Sequence, residues 1–191
     1  MNSPSRRISV LVVAIACASC ATPDFGPRTD ILLNVAFMKE QFGATAYPDV
    51  MSKSQCLDAQ ELSVKVIEER RGFRTLSSFG NIQMKYEDIA ATVQRYFEEA
   101  MRESKIRVLP SGGTIVQVRV EELTMTTGWG PAAGSAILAV SIPQWNFSAK
   151  YLGEEVSGTI YRGIAYSVHT AVLKFLNDPQ ALSHLQCRAS N

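Results

Sequence analysis

Histidine is scarce in this chain: His169 and His184 are the only two among 191 residues. Neither has a partner at ligand spacing. H-E-x-x-H, two C-x-x-C pairs and an Asp-rich calcium loop are also absent, so the sequence points to no metal site and no cofactor. A Ser/His hydrolase lacks its nucleophile elbow, because no G-x-S-x-G occurs. Charge of one sign is missing as well. With 19 basic and 18 acidic residues and no basic block, the chain is not built to neutralise phosphates, which argues against nucleic acid as a partner. Long apolar runs are lacking too. A spanning helix needs about 20 apolar residues, whereas "SAILAVSI" at 135–142 has only the length of a strand.

What is present begins at the N-terminus. Arg6 and Arg7 precede the apolar run "ISVLVVAIACA", residues 8–18, which ends in small side chains. A positive start, a short apolar segment and small residues at its end describe a secretory signal peptide. Ala18 and Ser19 before Cys20 are similar to the lipobox of bacterial lipoproteins, in which the cysteine is diacylated and becomes the new N-terminus. The place three residues before that cysteine, usually Leu, holds Cys17, and Cys17 is a second candidate acceptor. A redox role for Cys17-Ala-Ser-Cys20 lacks the strand and helix N-terminus that would depress a thiol pKa.

Cysteine parity bears on the choice of acceptor. Lipidation at Cys20 discards Cys17 and leaves Cys56 and Cys187 as an even pair in an oxidising compartment, whereas lipidation at Cys17 leaves three thiols. The expected organisation is therefore a signal peptide over 1–19, a lipidated tether over 20–30 and a single domain over 31–191. Removal of the leader takes away two basic residues and no acidic ones, so the mature chain carries a formal charge of −1. A Cys56–Cys187 disulfide would close a loop of about 130 residues and contribute roughly 4 to 5 kcal/mol by chain entropy. Two separately buried thiols are the alternative.

The tether "ATPDFGPRTD" is rich in Pro and Gly and reads as extended. Ile31–Phe37 reads as a strand, and residues 38–60 are irregular around Tyr47-Pro48. From Leu62, "LSVKV" alternates as a half-buried strand would, and a Ser- and Gly-rich loop follows. Residues 86–104 form the clearest helix, with Ile89, Val93, Tyr96, Phe97, Ala100 and Met101 at spacings of three and four. Glu87 and Asp88 in its first turn suit the positive end of the helix dipole.

Beyond the "SGG" turn, Val116, Val118 and Val120 alternate with Gln117, Arg119 and Glu121 in a long strand over 114–125 with one wet face. The loop "TTGWGPAAG" leads to a strand over 135–152, broken or bulged near Pro143. Gly153 and Glu154 are expected to turn the chain into a further strand, "EVSGTIYRGI". A second amphipathic helix over 166–177, with Val168, Val172, Phe175 and Leu176 inward, stops at Asp178-Pro179. The expected fold is α+β, an antiparallel β-sheet with two amphipathic helices packed on one face.

Chemistry-bearing positions are few. His169 sits beside the apolar stripe of the second helix and reads as a packed or surface histidine. Glu121-Glu122 and Glu154-Glu155 read as solvated flanks of turns, since adjacent strand residues point to opposite faces. Trp145 reads as sheet packing. "GWGPAAGS" lacks the Gly-Lys-Ser/Thr ending of a P-loop, and Pro131 removes an N–H that a phosphate cradle needs. It reads either as a plain hairpin connection or as a loop presenting Trp129, an aromatic able to anchor a partner.

The leader together with the order and spacing of elements over residues 80–178 resembles small bacterial envelope lipoproteins of the YajG type. It is similar also to the LptE-like and transport-auxiliary lipoproteins. That resemblance implies an outer-membrane lipoprotein facing the periplasm and working by protein contact, with Ala21 in place of an inner-membrane retention Asp. The expected function is a non-enzymatic accessory that supports an envelope protein complex through a sheet edge or the Trp129 loop, held to the membrane by the lipid on Cys20. The alternative is a carrier of a lipid or other apolar ligand between helices and sheet, which requires a cavity of a few hundred Å³.

Overall fold

A computed structural model describes residues 47–50, 61–76, 82–126, 132–157 and 160–185, together with position 40. The leader, the tether, the strand expected at 31–37, Cys20, Cys56, Cys187 and Trp129 lie outside the described residues.

In chain order the elements are β1 (Leu62–Val66), β2 (Phe73–Thr75), β3 (Gln83–Lys85), α1 (Tyr86–Glu103), β4 (Thr114–Thr126), β5 (Ala132–Ile142), a 3-10 turn (Pro143–Trp145), β6 (Phe147–Ser157), α2 (Ile160–Leu176) and α3 (Pro179–Leu185). Four strands form the main sheet in the order β1-β4-β5-β6, and β2 with β3 makes a small separate hairpin. The fold is α+β, as expected. The sheet is antiparallel except at one edge, where β1 runs parallel to β4 in the register Leu62 to Thr114 and Val66 to Val118. Alternation of side chains says nothing of direction. Here the connection from β1 to β4 runs through the hairpin and α1, which is the long crossover that a parallel pair needs.

The six apolar residues of the α1 stripe are buried to within 1% of complete. They share one core with Val116, Val118 and Val120 of β4 and with Leu138, Val140 and Ile142 of β5. α1 ends in a Schellman arrangement. Lys105 takes φ +65°, its N–H reaches Arg102 O, and Ile106 N–H reaches Met101 O at 3.0 Å. The buried Ile106 supplies the apolar contact that goes with that cap.

Two expectations of the second half of the chain are corrected. The strand expected over 135–152 is broken at Pro143, as expected, but into two antiparallel strands reversed by the 3-10 turn at Pro143–Trp145, with Asn146 in the left-handed region at φ +52°. Asn takes that conformation more readily than branched residues. Gly153 and Glu154 make no turn and lie inside β6. "EVSGTIYRGI" likewise divides between the end of β6 and the start of α2, so the helix begins at Ile160 and not at Tyr166.

Glycine explains the second correction. A Cβ on Gly153 would stand 2.7 Å from Ala171 N, and one on Gly134 would stand 2.9 Å from Ile164 N. These glycines let α2 lie with its backbone almost against β5 and β6. Val168, Val172, Phe175 and Leu176 then point inward as expected, all fully buried.

Candidate functional site

Of the two readings of His169, packed or surface, the structure shows the packed one. His169, on α2, is 1% exposed. Its Nδ1 is hydrogen-bonded to the hydroxyl of Tyr96 from α1 and lies 3.4 Å from the hydroxyl of Tyr47. The two hydroxyls are 2.9 Å apart. Both phenol rings meet the imidazole edge-on, at 84° for Tyr47 and 73° for Tyr96. Tyr47 belongs to a short segment that is tied to the end of α1 by Val50 N–H donating to Ser104 O at 3.2 Å.

Burial pushes His169 down to about 4 from 6.5. It pushes Tyr47 up to about 12, against the lowering effect of the Tyr96 hydrogen bond, and it raises Tyr96 further still. At neutral pH the cluster is therefore uncharged. Its chemistry is that of a polar clasp joining the 47–50 segment to both long helices. Separations of 49, 73 and 122 residues hid this cluster from the sequence.

His184, the other histidine, lies on α3 and stacks on Trp145 with ring centroids 5.3 Å apart at 14°. Trp145, half-buried on the 3-10 turn, thus packs against the core as expected and in addition against α3. A second cross-element bond sits nearby. Tyr151 of β6 donates to Asp178 Oδ2 at 2.6 Å. Oδ1 of the same carboxylate caps α3, accepting from Gln180 N–H at 2.8 Å and Ala181 N–H at 3.3 Å. Burial alone would raise the Asp178 pKa, but the bonds from Tyr151 and the two amides outweigh it and hold the carboxyl below its ordinary value.

The paired carboxylates are not flanks of turns. Glu121 and Glu122 sit at a bulge in β4, and Glu121 meets Lys150 of β6 at 2.8 Å across the open face of the sheet. Glu155 accepts from Thr170 of α2 at 2.9 Å, while Glu154 is exposed on the opposite face. Strand alternation separates that second pair, as the sequence implied.

The two edges of the sheet differ. Along β4, beyond the reach of β1, the outer carbonyls are taken by guanidinium groups. Arg70 donates to Val120 O at 2.7 Å and Arg74 to Glu121 O at 3.3 Å. Farther on, Met125 N–H donates to Leu76 O. Arg70 is itself held by a bidentate pair with Glu68 and lies over the ring of Tyr86 at 4.6 Å. On β6 the outer side carries one contact among the described residues, Lys174 Nζ donating to Leu152 O at 2.7 Å. Leu152 is 40% exposed and Val156 is 64% exposed on this strand.

A cleft of about 710 Å³ opens at one end of the sheet. Leu76, Met125 and Val156 supply its apolar surface, and Thr75, Thr126 and Glu154 stand among its polar lining. Thr126 and Ala132, the ends of β4 and β5, bracket the segment that carries Trp129.

No family model matches the sequence. No curated protein matches it either. Among solved structures, a Xanthomonas campestris protein described under the family model DUF330 is similar over 73% of this chain and 87% of its own, at 13% identity and a TM-score of 0.39. Another, described as an uncharacterised protein, is similar over 69% of this chain and 95% of its own, at 11% identity and a TM-score of 0.37. Neither description names the YajG or LptE-like type.

Proposed function

We propose that the chain is a lipid-anchored accessory of the bacterial outer membrane, facing the periplasm, that holds an envelope protein against one end of its sheet and catalyses no reaction. The observation that carries this reading is the cleft of about 710 Å³ at the end of the sheet, lined by residues of β4 and β5, the two strands between which Trp129 falls in the sequence. Its apolar floor and hydroxyl-lined rim suit an inserted segment of another protein, with an aromatic side chain as anchor. The leader and Cys20 supply the tether. The clasp of His169 with two tyrosines supports the same reading, since it commits an imidazole to holding the core together.

The carrier reading is favoured by the same cleft, whose volume lies in the range of small-molecule sites. It does not favour a ligand between α2 and the sheet, where backbones meet at Gly134 and Gly153.

The test is site-specific crosslinking of the full chain in intact cells from Trp129 and from Thr75, an exposed residue of the cleft, followed by identification of the adduct. An envelope protein captured at both positions, and lost in Trp129→Ala and Thr75→Arg, is the expected result. A lipid or other apolar molecule recovered from purified native protein, with no protein adduct, would replace this reading with the carrier.

A further inference from the structure

Among the described residues no strand pairs with the outer side of β6, and that edge carries a pattern that matches itself. Ladder groups of an antiparallel strand alternate between its two sides. Because the Leu152 carbonyl faces away from β5 to meet Lys174, the outward N–H and C=O groups of β6 belong to Ser148, Lys150, Leu152, Glu154 and Val156. These are also the residues exposed on that strand. We propose that β6 pairs antiparallel with β6 of a second copy of this chain, about a two-fold axis through Leu152, joining the two main sheets into one. Glu154 and Val156 also line the cleft at the sheet end, but the pairing of β6 requires no partner there, and Leu152 and Lys174 lie outside that lining.

Three features of the strand fit that occupant. Any register with its axis on Leu152 sets outward residues opposite outward residues, so each facing pair exchanges two backbone hydrogen bonds. The same register sets Lys150 of each copy, which also meets Glu121 of its own chain at 2.8 Å, opposite Glu154 of the other, so that each ammonium stands between two carboxylates on one face. It also sets the exposed Leu152 side chains against one another at the axis. A shift by two residues along either strand would lose the charge match and the apolar pair together.

The helix below agrees with the geometry. α2 packs on both β5 and β6, so its axis runs beneath the last two strands. Adjacent strands lie about 4.8 Å apart, which brings the two α2 axes to roughly 10 Å where they pass, the spacing of packed helices. Lys174 is the opposing element. Its ammonium holds the Leu152 carbonyl that the second copy's Leu152 N–H must take, so it guards the edge in the isolated chain.

The measurement is the oligomeric state of the detergent-solubilised full chain by light scattering over a concentration series, with the fold checked by circular dichroism. The wild-type chain forms a dimer. Glu154→Lys abolishes it, and Lys150→Glu with Glu154→Lys restores it. Leu152→Pro, which removes only an outward N–H, also abolishes it with the fold intact. Lys174→Met lowers the dissociation constant about tenfold by removing the competing donor. Oxidative crosslinking reads the register directly: Leu152→Cys links two copies, and Ser148→Cys links them only when Val156→Cys is also present. A monomer at every concentration, equal dimerisation of Glu154→Lys and the double variant, or equal crosslinking from Ser148→Cys alone would each overturn the proposal.

Discussion

Gly153 of β6 and Ala171 of α2 meet backbone to backbone, so closely that a single methyl group on the glycine would stand 2.7 Å from the Ala171 nitrogen. Gly134 does the same for Ile164 two residues after the start of β5. The helix is seated on the sheet by missing side chains, and the depth of that seat determines how fully Val168, Val172 and Phe175 enter the core.

Gly153→Ala is therefore expected to destabilise the fold by about 3 kcal/mol, because backbone and not a flexible side chain must move. Gly72→Ala is the control. That glycine has φ +86° and open space around its Cβ position, so its cost is confined to the left-handed conformation, about 1 kcal/mol. Urea denaturation of the two variants beside wild type measures the difference; equal losses would contradict the close seating of α2.

The clasp at His169 predicts an acid-side loss of stability. Its folded pKa is depressed to about 4 from 6.5, so between those values the unfolded chain binds more protons than the folded one. Stability contributed by the neutral imidazole is complete above about pH 6.5 and is lost as pH falls toward 4, by up to about 3 kcal/mol. Tyr47 acts at the other end. Raised to about 12, it favours folding below the ordinary tyrosine value of 10, and that contribution is lost as pH rises from 10 toward 12. Stability curves from pH 4 to 8 for wild type and His169→Gln check the acid limb, which is shallower in the variant. Tyr96→Phe, which removes the hydroxyl bonded to Nδ1, costs about 1 to 2 kcal/mol at neutral pH.

Asp178 serves two neighbours with one carboxylate, Tyr151 on one oxygen and the first turn of α3 on the other. Asp178→Ala is expected to cost about 2 kcal/mol, combining loss of the helix cap with an unpaired tyrosine hydroxyl. Asp178→Asn retains part of the cap and costs less. The depressed pKa of this carboxyl adds stability that is present above its unfolded value and lost as pH falls through the lower folded one. The Asn variant lacks that limb, which thermal melts at pH 2 to 5 would show.

For the anchor, Cys20→Ser is expected to move the chain from the membrane fraction to the soluble periplasmic fraction, and Cys17→Ser is expected to leave it in place. Fractionation with mass analysis of the mature N-terminus measures both. The opposite outcome would assign acylation to Cys17.

Much of the fold was legible in residue order alone. The stripe of Ile89, Val93, Tyr96, Phe97, Ala100 and Met101 located α1 to within one residue, and the alternation of Val116, Val118 and Val120 located β4, because amphipathic period is a local property written every two to four residues. Leu62, Val64 and Val66 identified β1 for the same reason. The place of His169 beside an apolar stripe allowed a packed or a surface histidine, and the structure decided for the packed one.

Only the tertiary structure decided the rest, since each remaining feature depends on residues far apart in the chain. Gly153 looked like a turn because glycine permits one; it stands in a strand because a helix 14 to 18 residues later needs its missing side chain. The direction of β1 against β4 came from the crossover between them and not from either strand. The joining of Tyr47 to Tyr96 and His169, and the contrast between an edge sealed by Arg70 and Arg74 and an edge left to Lys174, arise where long-range packing brings distant groups within hydrogen-bond reach, and a one-dimensional pattern holds no record of that distance.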